Sequence, residues 1–96
     1  NFADLPEPFD PKVVRYEISG TGSYADINYL DLDAKPQRVD NAALPWSKTI
    51  TLDPGVTLSS VTGTSVTGQL NCEVLDANGA VIAAQNGNSI ITNCTR

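Results

Sequence analysis

Apolar and polar residues alternate along most of this chain, with a period of two. From Val13 to Ile18, the residues Val14, Tyr16 and Ile18 fall on one face and Arg15 and Glu17 on the other, the pattern of a half-buried strand. After the turn Gly20-Thr21-Gly22-Ser23 the alternation resumes from Tyr24 to Asp31, with Ala25, Ile27 and Tyr29 inward and Asp26 and Asn28 outward. The two runs around a glycine-rich turn predict a hairpin. Pro36 and Pro45 interrupt any continuous ladder between 32 and 45 and leave room for a short strand around Gln37 to Val39.

Trp46 to Leu52 forms the next strand, whose buried part begins after Lys48, and Asp53-Pro54-Gly55 closes it as a turn. Strands at Val56–Val61 and Val66–Leu75 follow, separated by Thr62-Gly63-Thr64-Ser65, with Val66, Leu70, Cys72 and Val74 facing one way. Asp76-Ala77-Asn78-Gly79 is a hairpin turn in which Asn-Gly accepts positive φ, and Val81 to Gln85 is the return strand. Gly87-Asn88 turns the chain into a last run, Ser89 to Thr95, where Ile90, Thr92 and Cys94 share a face. The sum is seven to eight strands with turn signals roughly every 8 to 12 residues and no helical period, which predicts an antiparallel β-sandwich of immunoglobulin-like type. A small barrel is the alternative.

Composition narrows the function classes. The 96 residues suffice for one domain. The folded domain is expected over 12–96. Residues 1–11 read as an extended linker, since Pro6, Pro8 and Pro11 alternate with Asp4, Glu7 and Asp10. Net charge is −5, which argues against a nucleic-acid partner because phosphate binding needs clustered Lys and Arg. No run is apolar for the roughly 20 residues a membrane helix requires. Methionine is absent even at position 1, so the chain is expected to be a piece of something longer.

Cys72 and Cys94 lie on the inward parity of their strands, and a structural disulfide between them is the expected pairing. It implies an oxidising compartment. The alternative is two buried free thiols.

Candidate chemistry is sparse. With no histidine, the serines and threonines lack their usual base, and Ser47 and Lys48, adjacent in a strand, point to opposite faces. No catalytic residue, cofactor site or metal site is expected. Asp31 and Asp33, with Asp26 and Asp40 near, could offer oxygens to Ca²⁺, but EF-hand spacing is missing and Lys35 and Arg38 can neutralise them. A glycosidase pair among the same acids finds little room for a cleft in so small a domain. Trp46, Tyr24 and Tyr29 could stack on a sugar if they shared an exposed face. Tyr24 and Leu30, on the outward parity, are the candidate partner or ligand surface.

One resemblance reaches further. The runs Tyr16-Glu17-Ile18-Ser19-Gly20, Ala25-Asp26-Ile27-Asn28-Tyr29, Pro36-Gln37-Arg38-Val39 and Leu44-Pro45-Trp46-Ser47, closed by Cys72 and Cys94, together resemble the MmpS family of small mycobacterial membrane proteins. The likeness covers roughly residues 13 to 95, with a turn at Asp76-Ala77-Asn78-Gly79 that looks one residue longer than the family's. The resemblance implies a non-enzymatic periplasmic domain anchored in the inner membrane by an N-terminal helix that this chain lacks. Its partner would be an MmpL-type transporter of the resistance-nodulation-division superfamily, exporting lipids, siderophores or drugs. A module that itself binds an envelope lipid or carbohydrate is the competing expectation.

Overall fold

The structure is a computed structural model that describes residues 12–66, 68–87 and 89–96; the predicted linker, 1–11, lies outside the described residues. Eight strands follow in chain order: β1 (Val13–Gly20), β2 (Tyr24–Leu30), β3 (Pro36–Ala43), β4 (Trp46–Thr51), β5 (Ser60–Thr64), β6 (Leu70–Leu75), β7 (Val81–Gln85) and β8 (Ile91–Thr95). They form two four-stranded sheets, ordered β4-β1-β6-β7 and β3-β2-β5-β8. Every neighbouring pair is antiparallel. The expected antiparallel sandwich is the observed architecture.

The core is built from the inward parity of each strand. Val14, Tyr16 and Ile18 of β1 and Leu70, Cys72 and Val74 of β6 meet Ala25, Ile27, Val61 and Cys94 of the other sheet, all nearly inaccessible to solvent. Cys72 and Cys94 are bonded, with their Cα atoms 6.0 Å apart, so the bridge joins β6 to β8 across the layers. Tyr16 is the polar fastener of the same interior. Its ring is fully buried, while its hydroxyl donates to the Leu30 carbonyl at 2.7 Å and accepts from the Ser60 N–H at 3.2 Å, both in the opposite sheet. Burial raises its pKa above the ordinary phenol value, against the lowering effect of the Ser60 N–H. No buried side-chain nitrogen or oxygen among the described residues lacks a partner.

Strand identity was more legible than strand pairing. The predicted β1–β2 hairpin does not form, because β1 and β2 belong to different sheets. The connection between them is tied to the approach to β6 instead: Thr21 N–H donates to the Gln69 carbonyl, and Gln69 N–H donates to the Thr21 hydroxyl, both at 3.0 Å. Between 56 and 75, strand and turn exchange places. Thr62-Gly63-Thr64, read as a turn, lies inside β5, and β6 begins only at Leu70. Gly63 is there for space: a Cβ at that position would press on Ile18 and Leu70 at 3.2 and 3.3 Å. Val66, expected inward, sits before β6 and is 91% exposed; Ile90, likewise expected inward, precedes β8 and is 47% exposed. β3 is longer than predicted because a bulge lets it continue. Two residues, Asp40 and Asn41, face Asp26, whose carboxylate accepts the Asn41 N–H at 2.9 Å while Asn41 adopts φ of 52°.

Both hairpins that do form are closed by the same turn. In β2–β3, Asp31 N–H donates to the Lys35 carbonyl, Ala34 N–H to the Asp31 carbonyl, and Asp31 Oδ1 accepts from the N–H groups of Asp33 and Lys35. In β6–β7, Asp76, Asn78, Gly79 and Ala80 repeat these bonds one for one. Each fourth residue is left-handed, Ala34 at φ 58° and Gly79 at φ 80°. The Asn78-Gly79 pair therefore makes a turn with one positive φ, at Gly79, in place of the expected two.

Candidate interaction surface

The acidic residues are engaged in structural bonds. Asp31 holds its turn, and Gln37 Nε2 donates to its second oxygen at 2.9 Å. The two backbone donors, from Lys35 and Asp33, are the largest influences holding the Asp31 carboxyl below its ordinary pKa. Asp33 pairs with Lys35 at 3.3 Å. Asp26 and Asp40 form a separate group around Arg38, at 3.4 and 2.6 Å, on the exposed face of β2 and β3. These arrangements do not gather the four acids, and no cluster of three or more metal-ligating residues occurs among the described residues.

The aromatics fall into a packed row and one exposed ring. Trp46 packs against Tyr29 as a tilted pair with ring centroids 5.6 Å apart, and Tyr29 in turn against Tyr16 at 5.8 Å, so this row packs onto the core. Tyr24 stands apart from it, 61% exposed at the start of β2. Trp46, Tyr24 and Tyr29 therefore offer no common sugar-stacking face. Tyr24 and Leu30 occupy opposite ends of β2, the former opposite Ala43 and the latter, half-buried, opposite Pro36. They cannot belong to one small patch. Tyr24 instead neighbours Val66 across a shallow depression of about 580 Å³ that Ser23 and Asn41 complete. A cleft of about 420 Å³ opens on the β3/β4 side, lined by Tyr29, Gln37, Lys48 and Ile50 among others.

Sequence reading missed the outer margin of β8, which pairs with no further strand among the described residues. Ser59 and Arg96 exchange both backbone hydrogen bonds, at 3.0 and 2.8 Å. This fixes the phase of the β5–β8 ladder, since hydrogen-bonded pairs recur at every second position. Val61–Cys94 and Gly63–Thr92 are then the bonded pairs, and Ile91, Asn93 and Thr95 turn their N–H and C=O groups away from β5. The Ser89 hydroxyl accepts from Ile91 N–H at 3.2 Å. All three residues are exposed. A signal was present in the sequence: from Ala77 to Thr95 there is no charged residue and no proline.

Fold and surface thus define a disulfide-pinned, all-β domain that presents sheet margins and shallow depressions. A family model described as Mycobacterium membrane protein matches residues 1–95. The chain belongs to that family, the family of the MmpS proteins. It is 60% identical over 76 residues to the siderophore export accessory protein MmpS5 of Mycobacterium tuberculosis, an alignment covering 75% of this chain and 54% of that protein. It is 34% identical over 85 residues to the probable transport accessory protein MmpS4 of Mycobacterium leprae, covering 88% of this chain and 54% of that relative. The probable transport accessory protein MmpS1 of Mycobacterium bovis is 43% identical over 67 residues, covering 69% of this chain and 47% of that relative. The chain spans about half the length of these relatives.

Proposed function

We propose that this chain is the folded part of a non-enzymatic accessory protein that assists a membrane transporter in export. The observation that carries this reading is the 60% identity with a relative named for siderophore export. On this reading residues 12–96 stand on the periplasmic face of the inner membrane, residues 1–11 are a tether, and a helix upstream of Asn1 is the anchor. The partner is an MmpL-type transporter of the resistance-nodulation-division superfamily, and the cargo is a siderophore, lipid or drug. A short tether keeps the domain near its partner and raises its effective concentration there. The test is a clean deletion in a host with no paralogue expressed, scored by siderophore in the medium. Export should fall, and complementation should restore it; unchanged export overturns the reading.

A second reading follows from the depression beside Tyr24 and Val66. There the domain itself would hold an envelope lipid or carbohydrate, with Tyr24 as a contact residue; Leu30, at the far end of β2, lies outside that depression. Native mass spectrometry with extracted envelope lipids and with oligosaccharides should then show a retained adduct that Tyr24→Ala removes. Absence of any adduct at saturating ligand counts against it.

A further inference from the structure

The two layers part along one flank. β3 and β4 are consecutive in the chain yet edge different sheets, and no ladder joins them. The cleft of about 420 Å³ lies there, a size suited to a small ligand. Its wall is apolar at Tyr29, Leu32 and Ile50 and polar at Asp31, Gln37 and Lys48. Trp46 backs the Tyr29 ring. Leu32 is 45% exposed, so the wall offers apolar surface that the fold leaves uncovered.

Lys48 is the unusual member of this wall. It lies directly opposite Tyr16 in the β1–β4 ladder, and opposed residues of an antiparallel pair project from the same face. Tyr16 is fully buried, so Lys48 also projects from the inner face, in line with half-buried Trp46 and buried Ile50. Its ammonium has no hydrogen-bond or ion-pair partner among the described residues, whereas Arg15, Lys35 and Arg38 each pair with a carboxylate. The chain holds 11 acidic residues against 6 basic ones, so this is not for want of carboxylates. Asp31, in the same wall, is already engaged: Oδ1 accepts the Asp33 and Lys35 N–H groups, and Oδ2 accepts the Gln37 amide. An inward lysine on an edge strand also discourages strand addition. That use alone leaves the apolar wall beside it unexplained.

We propose that this cleft binds a dispersed, single-chain amphiphile with a carboxylate or phosphate head, the head on Lys48 and the tail along Tyr29, Ile50 and Leu32. The anion supplies Lys48 with the partner that the fold withholds, through a charge-assisted hydrogen bond. The tail covers the apolar wall and removes it from water. A neutral amphiphile lacks the first contribution and a small anion lacks the second. The site is separate from the depression beside Tyr24, and it stands whether or not the chain assists export.

The test titrates the 96-residue chain with decanoate and decyl phosphate below micelle-forming concentrations, with decanol, acetate and phosphatidylglycerol vesicles in parallel. Trp46, the single tryptophan, reports by fluorescence through its contact with Tyr29, and the Lys48 and Gln37 amides report by NMR. Decanoate and decyl phosphate should bind saturably and shift both amides. Decanol and acetate should each bind at least about tenfold more weakly. Lys48→Gln should weaken decanoate about tenfold, the scale of one hydrogen bond to a charged group, while Lys48→Arg should retain it. Leu32→Ser should weaken it severalfold through lost apolar contact. Arg15→Gln makes the same change of charge on the exposed face of β1 and should leave binding unchanged. Tyr24→Ala should do likewise, which separates this site from the second reading above. No saturable binding by the wild-type chain, undiminished binding by folded Lys48→Gln, equal binding of decanol, or a response to vesicles alone overturns the proposal. None of these results bears on the deletion assay for export, so the two readings fail separately.

Discussion

The two sides of this sandwich are built to the same plan and fastened differently. On one side the β2–β3 hairpin faces β4; on the other the β6–β7 hairpin faces β8. Both hairpins close through an aspartate that accepts two N–H groups and places its fourth residue in the left-handed region. The β3/β4 side is joined across the layers by the tilted Tyr29–Trp46 contact, beside an open cleft, and its edges carry Arg38, Asp40 and Lys48. The β7/β8 side is joined by a covalent bond and its edges carry no charge at all. Charge on the first side keeps other strands away. The second side combines a covalent lock with an uncharged margin.

Breaking the locks tests that contrast most strongly. Replacing Cys72 and Cys94 together by serine should cost about 3 kcal/mol in chemical denaturation, the scale for a loop of this size. The loss should appear first as faster amide exchange in β8, with β3 and β4 little changed. Trp46→Ala removes the opposite fastener. Because the indole is only partly buried, the cost should be smaller, about 2 kcal/mol, and exchange should rise in β3 and β4 while β8 stays protected.

The two turns sharpen the comparison further. A non-glycine residue in the left-handed region carries roughly 1 kcal/mol of strain. Ala34→Gly should therefore stabilise by up to about 1 kcal/mol, and Gly79→Ala should destabilise by a similar amount, both read from denaturation midpoints. Effects of the same sign at the two positions would show that the two turns are not equivalent in solution. The smallest effect is acid-dependent. The Asp31 carboxyl is held below its ordinary value of 3.8 by the N–H groups of Lys35 and Asp33. Its contribution is thus complete above that value and is lost as pH falls through the depressed one. Carboxyl NMR should place the Asp31 midpoint below 3.8, with the Asp33 and Lys35 amides exchanging faster as it protonates, and Asp31→Asn should abolish the transition.

How much of this could be read from the chain follows from what alternation encodes. Parity reports which residues face inward, and it placed Val14, Tyr16, Ile18, Cys72 and Cys94 in the core, where they lie. It carries no information about which strand lies beside which, so β1 and β2 were joined through a turn that in fact crosses between sheets. Composition misled where one residue serves two purposes: Gly63 reads as a turn residue but clears space for Ile18 and Leu70 within a strand. Of the candidate surface, Tyr24 was found as an exposed aromatic, while Val66 was hidden by extending strand parity into a loop. The β8 margin escaped because an edge is a property of the assembled sheet, and only the charge-free stretch hinted at it.

The placement of β1 also has a mechanical consequence. The described chain enters at Lys12 directly into β1, which is central in its sheet and paired with both β4 and β6. Tension applied through that end would load two ladders at once in shear, so their bonds resist together instead of opening one at a time as at a peeled edge. At the other end, a pull on Arg96 reaches Cys94 within two residues and passes into the covalent bridge. A domain wired in this way can be tugged from either end of its chain without first peeling away an edge strand.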